Sequence, residues 1–310
     1  MPSTAQEEAS SLNQPTVLLT GATGYVGGRL RSRLERQPLI LRCLVRDRRK
    51  LGQSSGNENQ IVEGDVLDSR SLDAALQGVH TAYYLIHLMS GKNDFEAQDR
   101  QAAQNFAVAA KNAGIKRIIY LGGLGDDADP HLSPHLRSRH EVGAILRESG
   151  VETIEFRASL VIGNGSLSFD LVKSLTDRLP VMICPNWLVT PTQPIGIDDL
   201  LRYLTDAREL PPGKSQIFEI GSADVVTYGG IIKEYARQKG LRRWLVFVPI
   251  LTPYLSGLWL ALVTPSTYEV GRHLIEGLKN PTVVQNNAAL HTFSIQPMSV
   301  REAIQNAIRG

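Results

Sequence analysis

The stretch TVLLTGATGYVGG, Thr16 to Gly28, constrains this chain more than any other. Val17-Leu18-Leu19-Thr20 is β-branched and aliphatic and reads as a short buried parallel strand, and it runs directly into glycines and the helix-like YVGGRLRSRLERQ. The glycines are spaced Gly21-x-x-Gly24-x-x-Gly27. Gly21 permits a tight turn out of the strand, Gly24 lets the backbone approach a pyrophosphate, and Gly27 lets the new helix pack closely on the sheet. The helix start presents unpaired N–H groups and the positive end of its dipole to an anion. Three glycines alone are a weak motif. Strand, turn and helix in this order make a dinucleotide site the expectation.

The segments that follow keep the same rhythm. Strands are expected at Leu39–Val45, Gln60–Glu63, Thr81–Ile86, Lys116–Leu121 and Val151–Arg157, with helices between them, including Asp94–Ala113 and His135–Glu148. The buried side of the first of these helices reads as Phe95, Ala102, Phe106, Val108, Ala109 and Ala113. Repeated alternation of strand and helix predicts an α/β fold, a Rossmann-type doubly wound parallel sheet. Arg46 is the first residue past the second strand, where a carboxylate favours NAD(H) and an arginine accommodates a 2′-phosphate. With Arg48 or Arg49 assisting, the reading favours NADP(H) over NAD(H), while Asp47 keeps NAD(H) open. Asp65, after the third strand, is placed to meet an adenine amino group, and the loop at His87 borders the cofactor because ligands bind beyond the carboxyl ends of parallel strands.

Composition narrows the partners. A net charge of +2 with dispersed basic residues implies neither nucleic acid nor an anionic membrane. Cys43 and Cys184 sit in apolar runs and read as buried free thiols, which fits a reducing, cytoplasmic setting. No HExxH or CxxC spacing points to a metal site, and no G-x-S-x-G elbow points to a serine hydrolase. Met1–Gln14 is polar and reads as a disordered tail. Trp244–Val263 is long and almost uncharged, but Pro249 and Pro253 divide it into a strand-like WLVFV and a helix-like YLSGLWLALV, so no stable membrane span is expected.

Taken together, TGATGYVG, LVRD, GDVLD, IIYLGGLG, RHEVGAILRESGVETIEFRASLVIGNG and PIGIDDL, in this order, resemble the extended or atypical branch of the short-chain dehydrogenase/reductase superfamily, with its nucleotide-sugar epimerases and NmrA-like NAD(P)-binding proteins. LIHLM, HLRSRHEVGAILRESG and LPVMICPNWLVTPTQPIGIDD look most like a bacterial and plant subgroup of these NAD(P)H-binding proteins. The resemblance implies a dinucleotide domain over residues 15–165, to which 193–220 returns, and a smaller, mostly helical substrate region over 166–192 and 221–310. It further implies that Thr23, Gly24, Tyr25 and Val26 touch the pyrophosphate, Arg46 the 2′-phosphate, Asp65 and Val66 the adenine, and Tyr84, Leu85 and Ile86 the nicotinamide side.

The chemistry departs from the family pattern. Family enzymes carry a Ser or Thr after the fifth strand and a Tyr-x-x-x-Lys on the next helix, where lysine lowers the tyrosine pKa for proton exchange. Here the fifth strand ends in Leu121-Gly122-Gly123, and the Tyr and Lys positions hold His135 and Arg139. These two lie four apart on one helix face. A histidine exchanges protons near neutrality, so His135 becomes the candidate donor with Arg139 holding the ribose, while His87, Tyr84 and Tyr120 are rivals. His140 and Glu141 are expected to face elsewhere, one helical step being about 100°. The expected activity is NADP(H)-dependent hydride transfer with an apolar carbonyl, enone or quinone-like substrate, Trp187, Phe247, Tyr254, Trp259 and Tyr268 being available to line its pocket. A non-catalytic NADP(H)-binding redox sensor or assembly factor is the alternative, and a nucleotide-sugar epimerase comes third.

Overall fold

The computed structural model describes residues 14–51, 60–88, 95–247 and 279–310. Seven strands, β1 (Thr16–Thr20), β2 (Ile40–Val45), β3 (Gln60–Glu63), β4 (Thr81–Tyr84), β5 (Arg117–Gly123), β6 (Glu152–Ala158) and β7 (Gln216–Ile220), form one sheet in the order β7-β6-β5-β4-β1-β2-β3. Every pairing within it is parallel. This is the doubly wound Rossmann-type fold that the alternating pattern implies, and the strand order reverses between β1 and β4.

Helices cover both faces, as a parallel sheet requires. On one face α1 (Tyr25–Leu34) and α6 (Ile197–Asp206) bring Leu30, Leu34, Leu200 and Leu204 against Val17, Leu19, Tyr83, Ile119 and Ile154. On the other, α2 (Ser69–Leu76), α3 (Phe95–Asn112) and α4 (Pro134–Glu148) bring Leu72, Phe106 and Leu146 against Leu18, Ala82, Tyr84 and Tyr120. Along α3 the buried stripe is Asp99, Ala102, Ala103, Phe106, Ala107, Ala109 and Ala110. Val108, expected on it, is 61% exposed, because two helical steps from Phe106 turn it about 200° to the solvent side.

Past β6 the chain builds a third core from α5 (Leu167–Arg178), α7 (Tyr228–Gln238) and α9 (Val300–Arg309), with Phe169, Met182, Cys184, Ile231 and Ile304 inside. A parallel two-stranded ribbon, Val181–Cys184 with Trp244–Phe247, closes one side of it. The short helix α8 (Ala288–Thr292) lies against β7, and Phe293 and Ile295 enter the sheet core beside Phe156, so this segment joins the dinucleotide half rather than the substrate region with which the sequence groups it. Both cysteines are buried and free, and burial pushes each thiol up to about 11. Met1–Asn13 of the expected tail and most of the YLSGLWLALV stretch lie outside the described residues. Among the described residues no helix is long and apolar enough to cross a membrane.

Candidate active site

The glycine turn sits at the reversal point, at the carboxyl end of β1. Gly21 has φ +69°, a left-handed conformation that favours glycine, and the Gly24 amide donates to Gly21 O at 2.9 Å. Each glycine is needed for space. A Cβ at Gly21 would lie 2.6 Å from Leu85 O, and one at Gly27 would lie 2.1 Å from Gly21 O. Helix α1 starts at Tyr25 with Gly24 as its N-cap, no side chain caps it, and no acidic residue stands in its first turn. Its first amides are therefore presented to an anion, and Thr23 and Gly24 are exposed at the tip. The cradle fits a pyrophosphate.

Tyr25 is placed differently from the sequence expectation. Its phenol oxygen is buried against Gly163, where an added Cβ would come within 2.1 Å of it, and it has no hydrogen-bond partner among the described residues. Arg29 stacks 4.9 Å from the Tyr25 ring centroid and donates to Asn164 O at 2.5 Å. The two side chains tie α1 to the loop beyond β6, which leaves only the backbone of Tyr25 for a phosphate. Val26 packs into the core below.

At the end of β2 the three arginines have separate roles. Arg49 binds Asp47 through two hydrogen bonds of 2.9 and 3.1 Å, and that bond holds the Asp47 carboxyl below the usual carboxylate range. Arg48 reaches Ile61 O at 3.3 Å. Arg46 is exposed and makes no hydrogen bond or ion pair among the described residues. The carboxylate that would read a ribose 2′-hydroxyl is thus engaged, while Arg46 is open to a 2′-phosphate. Asp65 accepts the Leu67 amide at 3.0 Å, forming an Asx turn beside the buried Val66, whose carbonyl accepts from Asn105 at 3.0 Å.

Strand β4 ends two residues earlier than the periodicity predicts. The Leu85 amide turns out of the ladder to Thr20 Oγ1 at 3.1 Å, while Thr20 Oγ1 donates to Tyr83 O at 2.9 Å. This clamp carries Leu85 across the glycine turn and delivers Ile86 and His87, half-buried, to the carboxyl ends of the strands. Tyr84 points away from the cleft. It is 1% exposed, its ring lies 4.9 Å from Phe106, and burial drives its phenol far above the ordinary range. Tyr120 is fully buried, its hydroxyl donates to Arg139 O at 2.8 Å, and burial pushes it up to about 12. Neither phenol is a proton donor to a ligand in the cleft.

The histidines converge instead. Ser133 caps α4 by accepting the Leu136 amide at 3.3 Å, and Pro134 occupies the first helical position, which places His135 in the first turn. His135 Nδ1 lies 2.9 Å from His87 Nε2, and His87 Nδ1 lies 3.0 Å from Asp99 Oδ2. Asp99 is 2% exposed and accepts two further bonds, from the Leu88 amide at 3.0 Å and from Ser138 Oγ at 2.9 Å. Burial opposes its charge, but the bonds from His87 and Leu88 and the field of Arg139 prevail and hold the carboxyl below its ordinary value. Burial, with help from Arg139, keeps His87 below the histidine range despite Asp99. A charged Asp99 beside a neutral His87 fixes the His87 tautomer: Nδ1–H faces the carboxylate, and Nε2 accepts from His135 Nδ1–H.

Arg139 is drawn inward, so the ribose role expected from sequence does not fit its position. Its guanidinium donates to Ile86 O at 3.1 Å and to Leu121 O, bracing the ends of β4 and β5. His140, expected to face away, is 8% exposed and its Nε2 lies 2.9 Å from Gly123 O. Glu141 does face outward, to Arg100. Asp99 and Ser138 escaped the sequence reading, though a signal existed: Asp99 stands on the apolar stripe of α3, three and four residues before Ala102 and Ala103. Of the aromatic residues proposed for a pocket, Trp187 is half-buried and edge-on to Tyr228, Phe247 is 44% exposed, and Tyr254, Trp259 and Tyr268 lie outside the described residues. Among the described residues no cluster of His, Cys, Asp and Glu could hold a metal ion.

These titrations set a pH dependence of stability. Burial lowers both His87 and His140 from the ordinary 6.5, so in acid the unfolded chain binds more protons than the folded one. Their contribution is complete above the ordinary value and is lost as pH falls below it; Asp99 and Asp127, both held low, extend the loss into the carboxylate range. The melting temperature is expected to be level between about pH 7 and about pH 8, to decline from about pH 6.5 downward, and to decline again in alkali, where the unfolded chain gives up the thiol protons that burial retains in the folded one. A melting temperature that stays constant until carboxylates titrate would contradict these assignments.

Comparison with known proteins agrees with this geometry. Residues 21–159 match the family model described as NAD(P)H-binding. Over 113 residues the chain is 31% identical to an NAD(P)H azoreductase from Xenophilus azovorans, covering 36% of this chain and 37% of that protein. The matched segments span between 35% and 53% of the length of the first curated relatives. Among solved structures, the Citrobacter triphenylmethane reductase complexed with NADP(H) superposes with a TM-score of 0.74 at 18% identity, over 94% of this chain and 99% of that one. An NADPH-dependent quinone oxidoreductase from Escherichia coli does so with a TM-score of 0.73 at 16% identity, over 94% and 99%. At these identities the two structures establish the fold alone. The parallel sheet, the glycine cradle and the matched segment agree: residues 21–159 build a Rossmann-type fold and are similar to the NAD(P)H-binding family.

Proposed function

We propose that the chain is an NADP(H)-dependent reductase of apolar carbonyl, enone or quinone-like compounds, and the observation that carries this reading is the hydrogen-bonded chain Asp99–His87–His135. When bound, the reduced nicotinamide supplies the hydride. The acceptor then needs one proton at the oxygen where charge develops, and the three residues are arranged to deliver it. Asp99 holds the Nδ1–H tautomer of His87, and His87 Nε2 accepts a hydrogen bond from His135 Nδ1–H, which favours the imidazolium form of His135. That form gives its Nε2 proton to the developing oxyanion and is left neutral, with Nδ1–H still bonded to His87. Arg139 braces the ends of β4 and β5 and so positions the loop that carries His87. The reductases among the relatives and neighbours, acting by their names on azo compounds, triphenylmethane dyes and quinones, support an apolar acceptor.

The test is consumption of NADPH against a panel of quinones, enones and aldehydes, with NADH in parallel. Turnover with at least one apolar acceptor and a preference for NADPH are expected. Arg46→Ala is expected to weaken NADPH binding by about 10- to 100-fold, the worth of a hydrogen bond between charged groups, and to leave NADH unaffected. Equal losses for both cofactors would remove Arg46 from the 2′-phosphate. The second reading, a non-catalytic NADP(H)-binding sensor or assembly factor, is favoured by the glycines that occupy the family's Ser/Thr position at the end of β5. Tight NADPH binding with no consumption across the panel would support it.

A further inference from the structure

The ribbon Val181–Cys184 with Trp244–Phe247 has two unlike faces. Met182 and Cys184 are buried in the third core, whereas Val181, Ile183, Trp244 and Val246 point outward, 53, 52, 70 and 48% exposed. The register pairs Trp244 with Val181 and Val246 with Ile183, so the four form one contiguous apolar patch. Isolated exposed aliphatic residues are ordinary; a patch of three branched aliphatics and a tryptophan on one sheet face indicates an interaction surface.

The surroundings of the patch specify its occupant. Because the ribbon is parallel, both strands begin at the same end, and that end is cationic. Arg178 lies three residues before Val181, and Arg242 and Arg243 immediately precede Trp244, with Lys239 at the end of α7. Arg243 is anchored by bonds to Thr176 O and Asp177 O, which fix this end of the ribbon, and its neighbours Arg242, Lys239 and Arg178 are exposed. The nearby Asp177 carboxylate accepts the Tyr235 hydroxyl. The net charge of +2 hides this local excess, which the fold assembles from two distant segments. In sequence, the ribbon leads into a run without any charged side chain as far as Tyr268.

We propose that this face docks the protein on the surface of an anionic lipid bilayer. Aliphatic side chains and an amphipathic indole enter the headgroup and acyl boundary, and the cations at the ribbon end meet anionic headgroups. The docking is peripheral and reversible, and it needs no membrane-spanning helix. It holds whether or not the chain is a reductase, because it rests on a different surface from the cofactor cleft.

Flotation of the full chain with vesicles of phosphatidylcholine alone, and of phosphatidylcholine with phosphatidylglycerol, tests the proposal. The chain is expected to float with the anionic vesicles, less at high salt, and its tryptophan emission to shift to the blue. The double variant Trp244→Asp, Val246→Asp is expected to lower partitioning by about tenfold or more, and Lys239→Glu, Arg242→Glu to remove the preference for anionic lipid. All four positions are exposed, and unchanged NADPH binding and melting temperature would establish that the variants fold. The proposal is overturned if the wild type floats with neither vesicle, or if the double variant floats as well as the wild type. It is also overturned if the same substitutions dissociate a dimer seen by light scattering, which would make a second copy of the chain the occupant.

Discussion

Replacing Gly27 by alanine is expected to abolish measurable NADPH binding and to destabilise the protein by roughly 3 kcal/mol, the upper range for overpacking in a well-filled core. The new methyl would sit 2.1 Å from Gly21 O, with Gly21 C at 2.8 Å and Ala22 Cα at 3.2 Å. All three are backbone atoms, so no side chain can swing aside. Relief requires α1 to lift from β1, which withdraws its first amides from the phosphates and disturbs Gly21, itself confined by Leu85 O. The adjacent Gly28→Ala provides the contrast. Its methyl would meet Ala22 O at an ordinary 3.5 Å, and alanine favours a helix interior by about 0.8–1 kcal/mol over glycine, so this variant is expected to melt no lower than wild type and to bind NADPH normally. Thermal unfolding and a fluorescence titration with NADPH read both effects. Equal behaviour of the two variants would show that helix propensity rather than close packing governs the turn.

The cradle was legible in the sequence because its demands are local: a left-handed turn, a close approach and an uncapped helix start all fall within eight residues. The sheet was legible for a related reason, since strands buried on both faces leave continuous apolar runs such as Val17-Leu18-Leu19 and Thr81-Ala82-Tyr83-Tyr84. Features formed by distant pairings were not. Trp244–Phe247 reads as a strand, but nothing in its composition selects Val181–Cys184 as its partner. Glu155 gave no warning either. It is fully buried on β6 between Arg147 and Arg157, and it fits because Gly143 lacks a side chain, whose Cβ would stand 2.4 Å from Glu155 Oε2. Tyr84 and Tyr120 illustrate the limit from the other side. Strand position alone makes a terminal tyrosine look accessible, and only the packing of Phe106 and Arg139 against them shows that it is not.

The proton chain supplies the second large effect. His135→Ala and Asp99→Asn are each expected to lower kcat by about 10²- to 10⁴-fold, the range for a general acid or for the carboxylate that fixes its tautomer, while the affinity for NADPH is unchanged. The asparagine variant is the sharper probe because it preserves shape. Its oxygen can still accept the Leu88 amide, but its NH₂ then faces His87 Nδ1, which must become the acceptor. His87 Nε2 would carry the proton and point it at His135 Nδ1, so His135 loses the partner that accepted from it. One exchanged atom at Asp99, two residues removed from the donor, thereby reverses the direction of both bonds. If the three residues act as one unit, the double variant Asp99→Asn, His135→Ala is expected to be little worse than either single one. Losses that multiply would instead assign Asp99 a separate structural role. A single variant that retains wild-type turnover with an acceptor consumed by the parent protein would take the chain out of the reaction. The pH profile separates the cases further, since a tautomer defect changes its shape, whereas a loss of folded protein lowers it uniformly.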